Sequence, residues 1–403
     1  MSSVITPANL TERYTELDHR PLRSDIYYKP DIFDLEMEKI FRPSWHCVGR
    51  VEELKGPGSF FTRDLATFKM SVLVCRSDDG EIRSFLNACP HRGNQVELED
   101  CGRRGSFTCK FHAWRYDLRG QLVHVPDSEG FPKLDQSSIG LKQLACDIWE
   151  GFIFINLNQE PAESLAAYMG QQGSDLAGYP FDEGTTQFKY VGDVNTNWKF
   201  LVDSFCETYH VPYLHQHTIK STMSGPANPY GRVVDVRLKG KHRTTSVWGN
   251  REWQPAPLQT LALNNMPGLS ITGAGGGDMN LPKGLNETRS PYWAIDVTVF
   301  FPGFICVIGP GMYFTHQMWP LAVDKTRWEM TGYLRPARNA AERFGQEHAM
   351  VELRDAVLED ANTLERMQRN YATGMMDHIY FHDHELSLRY QHHTVCKILG
   401  LDE

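Results

Sequence analysis

The sequence lacks any apolar stretch long enough to cross a membrane. A spanning helix needs about 20 consecutive apolar residues, and the longest apolar region, 297–314, is interrupted by Pro302, Gly303, Gly309 and Pro310. The first 17 residues are polar and charged, without the apolar core of a secretory signal or the character of a transit peptide. We therefore expect a cytoplasmic protein.

Positive charge is also in deficit. Lys and Arg number 41 against 50 Asp and Glu, which gives a formal net charge of -9 at pH 7. Nucleic acids and anionic membranes attract basic surfaces, so neither is expected as the main partner. The length of 403 residues, with 41% hydrophobic and 23% charged residues, is typical of a folded protein with room for two domains.

A disulfide framework is missing as well. The nine cysteines are an odd number scattered along a large chain. Seven of them are interpreted as reduced thiols, mostly small core residues: Cys47, Cys75, Cys101, Cys146, Cys206, Cys306 and Cys396. The glycine-rich stretch 273–284 has neither G-x-G-x-x-G spacing nor a GK[ST] ending, so it predicts a flexible surface loop and no nucleotide-phosphate cradle.

Two regions with different local patterns remain. Residues 42–157 alternate short β-rich runs with turn signals, which favours a compact antiparallel β domain. Beyond Tyr190, two segments of helical periodicity, 197–213 and 339–368, flank five candidate strands: 233–238, 244–247, 293–301, 311–319 and 327–334. Residues 158–184 give no strong signal. The predicted fold class is α+β, with a β domain over 42–160, a second domain over 161–403, and residues 1–41 packing on the second domain.

The most specific pattern lies in the β domain. Cys89 and His91 form a C-x-H pair, and Cys109 and His112 form a C-x-x-H pair. Zinc sites usually use tighter knuckles of the C-x2-C or H-x3-5-H kind, which these pairs do not match. A Rieske [2Fe-2S] cluster needs two thiolates on one iron and two imidazoles on the other, so each loop can supply one of each. The Rieske interpretation is favoured over zinc and over coincidence.

The residues around these pairs, Cys89-Pro90-His91-Arg92-Gly93 and the run from Cys109 to Gly120, resemble the cluster loops of Rieske domains from bacterial ring-hydroxylating oxygenases. Two residues depart from that family: Lys110 stands where Pro is usual and Ala113 where Gly is frequent. Respiratory Rieske proteins carry an extra cysteine in each loop, but Asn94 and Phe111 occupy these regions here. The resemblance is therefore to the lower-potential, oxygenase-associated type.

A second metal site is suggested downstream. His210 and His215 are five residues apart, and Pro212 between them could bend a helix so that both converge on one metal. Asp360 adjoins a helical apolar stripe formed by Val357, Leu358, Ala361, Leu364 and Met367, where a carboxylate is costly unless it is paired or metal-bound. Taken alone, histidine pairs on helices are more often structural than metal-binding, and an Asp in a charged helix is usually solvated.

The segment Asn197-Trp198-Lys199 followed by Glu207, Tyr209, His210 and His215 resembles the iron-binding helix of the oxygenase α subunit, and Glu359-Asp360 with Gln368 resembles the helix that donates its aspartate. The resemblance implies His210, His215 and Asp360 as ligands of a mononuclear Fe(II). It also implies that Glu207, three residues before His210 on the same helical face, links His210 to His112 of a neighbouring subunit. The family generally has Asp there, although Glu also occurs in relatives acting on quaternary amines. Tyr209 is a weaker candidate for a catalytic role.

By this resemblance the chain is the terminal oxygenase of a multicomponent Rieske system, with a Rieske β domain and a Bet v 1-like or START-like catalytic domain. It would use O2 and electrons from NAD(P)H, supplied by a partner flavin reductase and in some systems a ferredoxin, and form a homotrimer (α3, or α3β3 with a β subunit). The expected small-molecule substrate is an aromatic or other apolar ring compound, hydroxylated by mono- or dioxygenation. The alternatives are an oxidative N- or O-demethylase or hydroxylase of a methylated amine, or a Rieske electron-transfer protein without oxygenase activity.

One further group of residues carries no such assignment. The C-terminal segment contains five histidines whose spacing matches no recognisable metal site: His378, His382, His384, His392 and His393. We expect them to pack at the surface near the terminus.

Overall fold

A computed structural model describes residues 9–266 and 281–402. The greater part of the predicted glycine-rich loop, 273–280, lies outside the described residues. All nine cysteines are described and each is a free thiol. Among the described helices, none is long and apolar enough to cross a membrane. The chain divides into two compact units, one formed by Arg42–Tyr168 and one by Met1–Phe41 together with Met169–Glu403.

The N-terminal segment contributes strand β1 (Leu22–Arg23) and helix α1 (Pro30–Glu36) to the larger unit. Pro30 lies in the first turn of α1, where its missing N–H is not needed. The Arg42–Tyr168 unit then contains ten strands: β2 (His46–Arg50), β3 (Ser59–Leu65), β4 (Met70–Arg76), β5 (Ile82–Leu86), β6 (Cys101–Arg103), β7 (Phe107–Thr108), β8 (Arg115–Tyr116), β9 (Leu122–His124), β10 (Gln143–Trp149) and β11 (Phe152–Asn156).

Seven of these strands form an antiparallel sheet in the order β2-β11-β10-β5-β4-β3-β6, and β7-β8-β9 form a small second sheet. A two-residue turn joins β10 to β11, and both of its residues, Glu150 and Gly151, have positive φ, as tight hairpins require. The apolar core of this unit includes Cys89 and Cys109 beside Phe60, Trp114 and Tyr116. The predicted ligand cysteines therefore belong to the packed interior of a β domain.

Helix α2 (Leu165–Ser174, interrupted at Gly170) begins in the Arg42–Tyr168 unit and ends in the larger unit. The larger unit continues with six more helices and eight strands: β12 (Thr186–Val194), α3 (Trp198–Phe205), α4 (Val211–Leu214), α5 (Lys220–Met223), β13 (Asp235–Lys239), β14 (His242–Trp248), α6 (Pro257–Asn264), β15 (Trp293–Phe300), β16 (Phe304–Gly309), β17 (Met312–Ala322), β18 (Lys325–Leu334), α7 (Ala340–Tyr371), β19 (His378–Ile379) and α8 (Leu386–Leu399). Seven strands form one antiparallel sheet in the order β12-β18-β17-β16-β15-β14-β13, and β19 pairs with β1. Helices α3 and α7 pack against this sheet. The predicted α+β class is confirmed.

Several predicted elements were wrong in detail. The single helix expected over 197–213 is two helices, α3 and α4, separated by a non-helical segment, and Pro212 lies in the first turn of α4 rather than at a bend. Strand β16 was not predicted because all of its residues are buried, so it shows no alternation. The segment 158–184, which gave no signal, contains α2.

The C-terminal histidines also differ from expectation. Helix α8 was not predicted, because its buried face carries polar residues such as Arg389 and Gln391 that hide the apolar periodicity. His384 and His392 are buried, against the expected surface packing, while His378 and His382 are exposed. Polar side chains under α8 form buried hydrogen bonds, for example from Gln391 Nε2 to Asp203 Oδ1 at 2.8 Å.

Candidate cluster site and metal centre

The two predicted cluster loops share one backbone design. In the first, the Cys89 N–H donates to Asn94 O at 2.8 Å and the Gly93 N–H donates back to Cys89 O at 2.8 Å. In the second, the Cys109 N–H donates to Trp114 O at 2.9 Å and the Ala113 N–H to Cys109 O at 2.9 Å. Each cysteine thus begins a closed loop of six residues, Cys89 to Asn94 and Cys109 to Trp114. His91 is the second residue after its cysteine and His112 is the third, so the two histidines occupy different positions in otherwise equivalent loops.

The fourth residue after each cysteine has a left-handed conformation. Gly93 has φ 79° and Ala113 has φ 55°. A Cβ strains such a backbone, whereas glycine adopts it freely. Glycine is therefore the residue best suited to this backbone position, and Ala113 places a small strain in the second loop.

The four predicted ligand side chains are two buried thiols and two partly exposed rings. Cys89 and Cys109 are each 2% exposed. The rings of His91 and His112 lie 4.6 Å apart between centroids, and Trp114 stacks on His91 at 4.8 Å with an interplanar angle of 6°. Two thiols inside and two imidazoles near the surface are the donor set of a Rieske cluster, so the residues fit the group.

Both sulfurs have polar neighbours. The Tyr116 hydroxyl lies 3.0 Å from Cys89 Sγ, and Asn94 Nδ2 donates to Cys109 Sγ at 3.7 Å. Burial raises the pKa of the Cys89 thiol, and the hydrogen bond with Tyr116 acts against that rise. Donors near cluster sulfurs stabilise negative charge there and so affect the reduction potential.

Asn197, Trp198 and Lys199, at the beginning of α3, have structural roles next to the second site. The Asn197 side chain caps α3 by accepting from the Lys199 N–H at 3.1 Å, and the Asn197 N–H donates to Gln368 Oε1 of α7 at 2.9 Å. Trp198 Nε1 and Lys199 Nζ both donate to Glu36 of α1, at 2.8 and 2.5 Å. These three residues anchor α3 to α7 and to the N-terminal segment, and they position everything that follows α3.

Three predicted ligands converge just beyond α3. His210 Nε2 lies 3.1 Å from His215 Nε2, and Asp360 Oδ1 lies 3.5 and 3.3 Å from these two nitrogens. The ligand atoms of these three side chains all lie within 4.8 Å of one another, so the group can hold a single metal ion. One face of an octahedral ion with ligands at about 2.1 Å has edges of about 3.0 Å, and two His with one carboxylate is the set used for non-haem Fe(II). The geometry fits that ion.

Short-range structure brings the histidines together. His210 precedes α4 and His215 follows it, so a single helical turn returns the chain between them. Asp360 lies on the buried face of α7 with Val357 and Leu364, whereas Leu358 is 54% exposed and does not belong to the predicted stripe. Asp360 is therefore part of the inward-facing surface of α7 rather than its neighbour.

Each imidazole has its own carboxylate on the side away from the ligand triangle. Glu207 contacts His210 Nδ1 and also accepts from the backbone N–H groups of Tyr209 and His210. Glu207 lies beyond the end of α3, so the predicted shared helical face was wrong. Glu359 Oε2 lies 2.7 Å from His215 Nδ1. The sequence argument did not assign Glu359 a role, although its position next to Asp360 on α7 was the available signal.

These carboxylates dominate the electrostatics. Burial acts to lower the pKa of His210, but Glu207 and Asp360 outweigh it and raise the pKa to about 9. Burial likewise lowers the pKa of His215, and the hydrogen bonds to Asp360 and Glu359 reverse the net direction, so its pKa is raised. Without a cation the triangle attracts protons, and a divalent metal would displace them.

The remaining candidate, Tyr209, points elsewhere. Its side chain is 40% exposed, and its ring stacks on His382 at 5.0 Å between centroids with an interplanar angle of 4°. The residue meets the site through its backbone N–H, which donates to Glu207.

Two cavities bear on the metal centre, and in the described part of the chain only the first is lined by residues of the ligand triangle. One, of about 230 Å³, is lined by Glu207, His210 and Asp360 together with Asp203 and Glu385. The other, of about 120 Å³, is lined by mostly apolar side chains from α5, α6, α7 and β15–β17, and Thr218 is part of its wall. Thr218 Oγ1 donates to Glu359 Oε2 at 2.8 Å. Thr218 therefore connects the wall of the apolar cavity, through one hydrogen bond, to the carboxylate that contacts His215.

Comparison with known proteins gives two family matches. Residues 44–138 match the Rieske [2Fe-2S] domain, and residues 181–400 match the ring-hydroxylating alpha subunit (catalytic domain). The chain is 34% identical over 207 residues to the methanesulfonate monooxygenase hydroxylase subunit alpha of Methylosulfonomonas methylovora, covering 48% of this chain and 49% of that protein. It is 34% identical over 210 residues to the chlorobenzene dioxygenase subunit alpha of Cupriavidus sp. (strain PS12), covering 50% and 46%.

The matched region thus spans about half the length of these relatives. Among solved structures, a quaternary ammonium Rieske monooxygenase matches with a TM-score of 0.74, at 18% identity, over 95% of this chain and 97% of that one. At 18% sequence identity, this structural similarity establishes the fold alone.

Proposed function

Because the chain belongs to the family of ring-hydroxylating alpha subunits and carries a Rieske [2Fe-2S] domain, we propose that it is the terminal oxygenase of a multicomponent system that hydroxylates a small substrate with O2. Within it, we assign residues 42–160 to the Rieske domain, 161–403 to the catalytic domain, and 1–41 to a segment that packs on the catalytic domain. The single observation that carries the proposal is the triangle of His210, His215 and Asp360 in a chain that also holds a Rieske ligand set.

The proposed ligands divide between the two sites. Cys89, His91, Cys109 and His112 would hold the [2Fe-2S] cluster, and His210, His215 and Asp360 would hold Fe(II). When bound, the cluster supplies single electrons and the iron supplies O2 activation at its open coordination positions. The residues of this chain provide the rest: Glu207 and Glu359 orient the imidazoles, and the apolar cavity binds substrate and excludes water.

Electrons are proposed to come from NAD(P)H through a separate flavin reductase, with or without a ferredoxin, and to pass from His112 of one subunit through Glu207 to His210 of the next in a homotrimer. Support comes from the Glu207 contact with His210 Nδ1 and from the partial exposure of His112. The exposed Phe111 beside His112 is consistent with a loop that meets another surface. Tyr209, whose backbone fixes Glu207, is proposed only as a support of this route.

An apolar ring compound is the favoured substrate class. Among the described residues that line the apolar cavity, none is Lys or Arg, and Phe314 is its single Phe, Tyr or Trp. Binding of a quaternary ammonium group typically uses a cage of several aromatic faces, and binding of an acid uses a cation. A methylated amine remains the second candidate, because the matched structures include a quaternary ammonium monooxygenase.

Metal analysis separates oxygenase from electron carrier. The purified protein should contain about three irons and about two acid-labile sulfides per chain, because one mononuclear iron adds to the two-iron cluster. About two irons would instead indicate a Rieske electron-transfer protein, and a colourless zinc protein would overturn both assignments. Substrate-dependent O2 consumption with a surrogate reductase, followed by product mass, then tests the activity.

The subunit route is tested by complementation. A Cys109→Ser chain lacks a cluster and an Asp360→Ala chain lacks iron, so each variant alone should be inactive. Co-expressed and co-purified, they should regain activity only if electrons pass between subunits, because every single chain retains one defective site. Absence of any recovery in verified mixed oligomers would place the transfer within one chain.

A further inference from the structure

The two imidazoles of the metal triangle are held by carboxylates with different surroundings. Glu207 is in a non-helical segment and serves three partners: His210 Nδ1 and the backbone N–H groups of Tyr209 and His210. Under the proposed function it must also reach another subunit. Glu359 lies within the 32-residue helix α7 and contacts His215 Nδ1 at 2.7 Å. The two histidines therefore do not depend on the same support.

Glu359 is itself fixed by a second hydrogen bond. Thr218 Oγ1 donates to Glu359 Oε2 at 2.8 Å, to the same oxygen that faces His215. Thr218 is three residues beyond His215, so the chain that carries the imidazole also carries the hydroxyl that orients its carboxylate. His215 is 1% exposed, whereas the Glu359 side chain is 26% exposed, so the imidazole is shielded from water and its carboxylate needs the hydroxyl of Thr218 to fix it.

The chemistry of such an arrangement is well defined. A carboxylate that accepts the Nδ1 proton leaves Nε2 unprotonated, fixes the ring orientation and makes the imidazole a better donor to a metal. His215 Nε2 is the atom that lies 3.3 Å from Asp360 Oδ1 in the ligand triangle. Loss of a carboxylate partner of this kind typically weakens metal affinity about 10–100-fold.

We propose that Glu359 is a positioning residue that holds His215 in its metal-binding tautomer, that Thr218 fixes Glu359, and that this pair retains the metal without taking part in the electron route through Glu207. The inference rests on the proposed function for the identity of the metal. It assigns distinct tasks to two glutamates that both contact an iron-ligand histidine.

The test compares Fe(II) affinity, by anaerobic competition with a chromophoric chelator, in wild type, Glu359→Ala, Glu359→Gln and Thr218→Val. We expect about 10–100-fold weaker binding in Glu359→Ala, partial recovery in Glu359→Gln because the amide oxygen still accepts the Nδ1 proton, and a smaller loss in Thr218→Val. Glu347→Gln, an exposed acid on the same helix that pairs with Arg343, is the matched control and should bind as wild type. Unchanged far-UV circular dichroism spectra of the metal-free variants verify folding, because the cluster ligands lie in the other compact unit and cluster absorbance does not report on α7.

A second measurement separates positioning from electron transfer. At saturating Fe(II), the Glu359 variants should regain single-turnover oxidation of the reduced cluster, whereas Glu207→Gln should remain slow. Wild-type affinity in Glu359→Ala, or no recovery at saturating iron, would overturn the inference. If wild type itself binds no third iron, the proposed function fails instead, and the two failures are therefore distinguishable.

Discussion

The cluster site and the metal centre solve the problem of holding a metal in opposite ways. All four proposed cluster ligands come from residues 89–112, on two loops with the same backbone hydrogen bonds, and both imidazoles are partly exposed. The proposed ligands of the metal centre come from the two ends of a short helical turn and from a long helix, and the histidines contact further carboxylates. The comparison teaches that residues close together in sequence suffice to form a partly exposed site for an electron-transfer cluster. A shielded metal centre instead needs ligands that only the tertiary fold brings together.

The largest test of this contrast removes one site and leaves the other. Asp360→Ala should lower the iron content from about three to about two per chain and abolish substrate-dependent O2 consumption, because two histidines alone bind Fe(II) weakly. The cluster absorbance should not change. Parallel loss of the cluster signal would show that the two sites are not structurally independent.

A second prediction concerns pH and the metal centre alone. In the metal-free protein the pKa of His210 is about 9 and that of His215 is raised, so metal must displace protons below those values. Fe(II) affinity should rise with pH between about 6.5 and 9, by up to about tenfold per pH unit for each proton displaced. Calorimetry in buffers of different ionisation enthalpy should detect about one to two protons released at pH 7. A flat affinity over this range would contradict the assignment.

The same shift affects the stability of the metal-free protein. The folded-state pKa of His210 is raised, so the protonated imidazole stabilises the folded protein. This contribution to the free energy of unfolding is fully present below the unfolded-state pKa of about 6.5 and is lost as the pH rises through about 9. Metal-loaded protein should not show this loss, so unfolding midpoints at pH 6.5 and 9 with and without Fe(II) provide the control.

A smaller effect is expected at the cluster sulfur. Tyr116→Phe removes the hydroxyl 3.0 Å from Cys89 Sγ, and it should lower the reduction potential because the reduced cluster loses a stabilising donor. A hydrogen bond of about 1 kcal/mol corresponds to about 40 mV for one electron. Tyr168→Phe is the matched control, since Tyr168 is buried in the same unit but bonds to Ser44. An equal shift in both variants would assign the effect to packing.

The smallest predicted effect concerns the two equivalent loops. Ala113→Gly should stabilise the β unit by about 0.5–1 kcal/mol, because Ala113 has a left-handed backbone. Gly93→Ala should do the reverse, and the cost should be purely conformational because a Cβ there meets no atom within 4 Å. Thermal loss of cluster absorbance measures both. Changes of the same sign in the two variants would disprove the equivalence of the loops.

These sites also show what a sequence can predict. The cluster loops were predictable because C-x-H and C-x-x-H are local patterns with few chemical uses. The break between α3 and α4 was not, because it involves a distant contact, in which Thr208 Oγ1 donates to the Gly231 carbonyl. A local contact adds to it, since the Glu207 side chain accepts from the backbone N–H groups of Tyr209 and His210 after α3 ends. Propensity alone continues the helix to Tyr213.

The same reasoning explains the missed C-terminal helix and the missed carboxylate. The buried face of α8 is polar, and Arg243 Nη2, for example, donates to Gln391 Oε1 at 2.6 Å in the interior. Because polar residues occupy buried positions, the sequence of α8 shows no helical periodicity of apolar residues. Glu359 is separated from His215 by more than 140 residues. Its role depends on where the fold places α7, which no short sequence pattern shows. Asp360 was a candidate because it adjoins an apolar stripe, and the family resemblance then made it a predicted ligand.

The pairing of β2 with β11 has a consequence for how the chain could be recombined with its relatives. These are the first and last strands of the Arg42–Tyr168 unit, and they lie side by side, with His46 opposite Ile155. A unit whose entry and exit are neighbours can be inserted into a host fold without separating the host's own ends. In sequence, the Arg42–Tyr168 unit is thus inserted between the two segments that form the other unit. We expect this β unit to be exchangeable between relatives, giving chimaeras that combine the proposed electron-donor domain of one relative with the proposed substrate cavity of another.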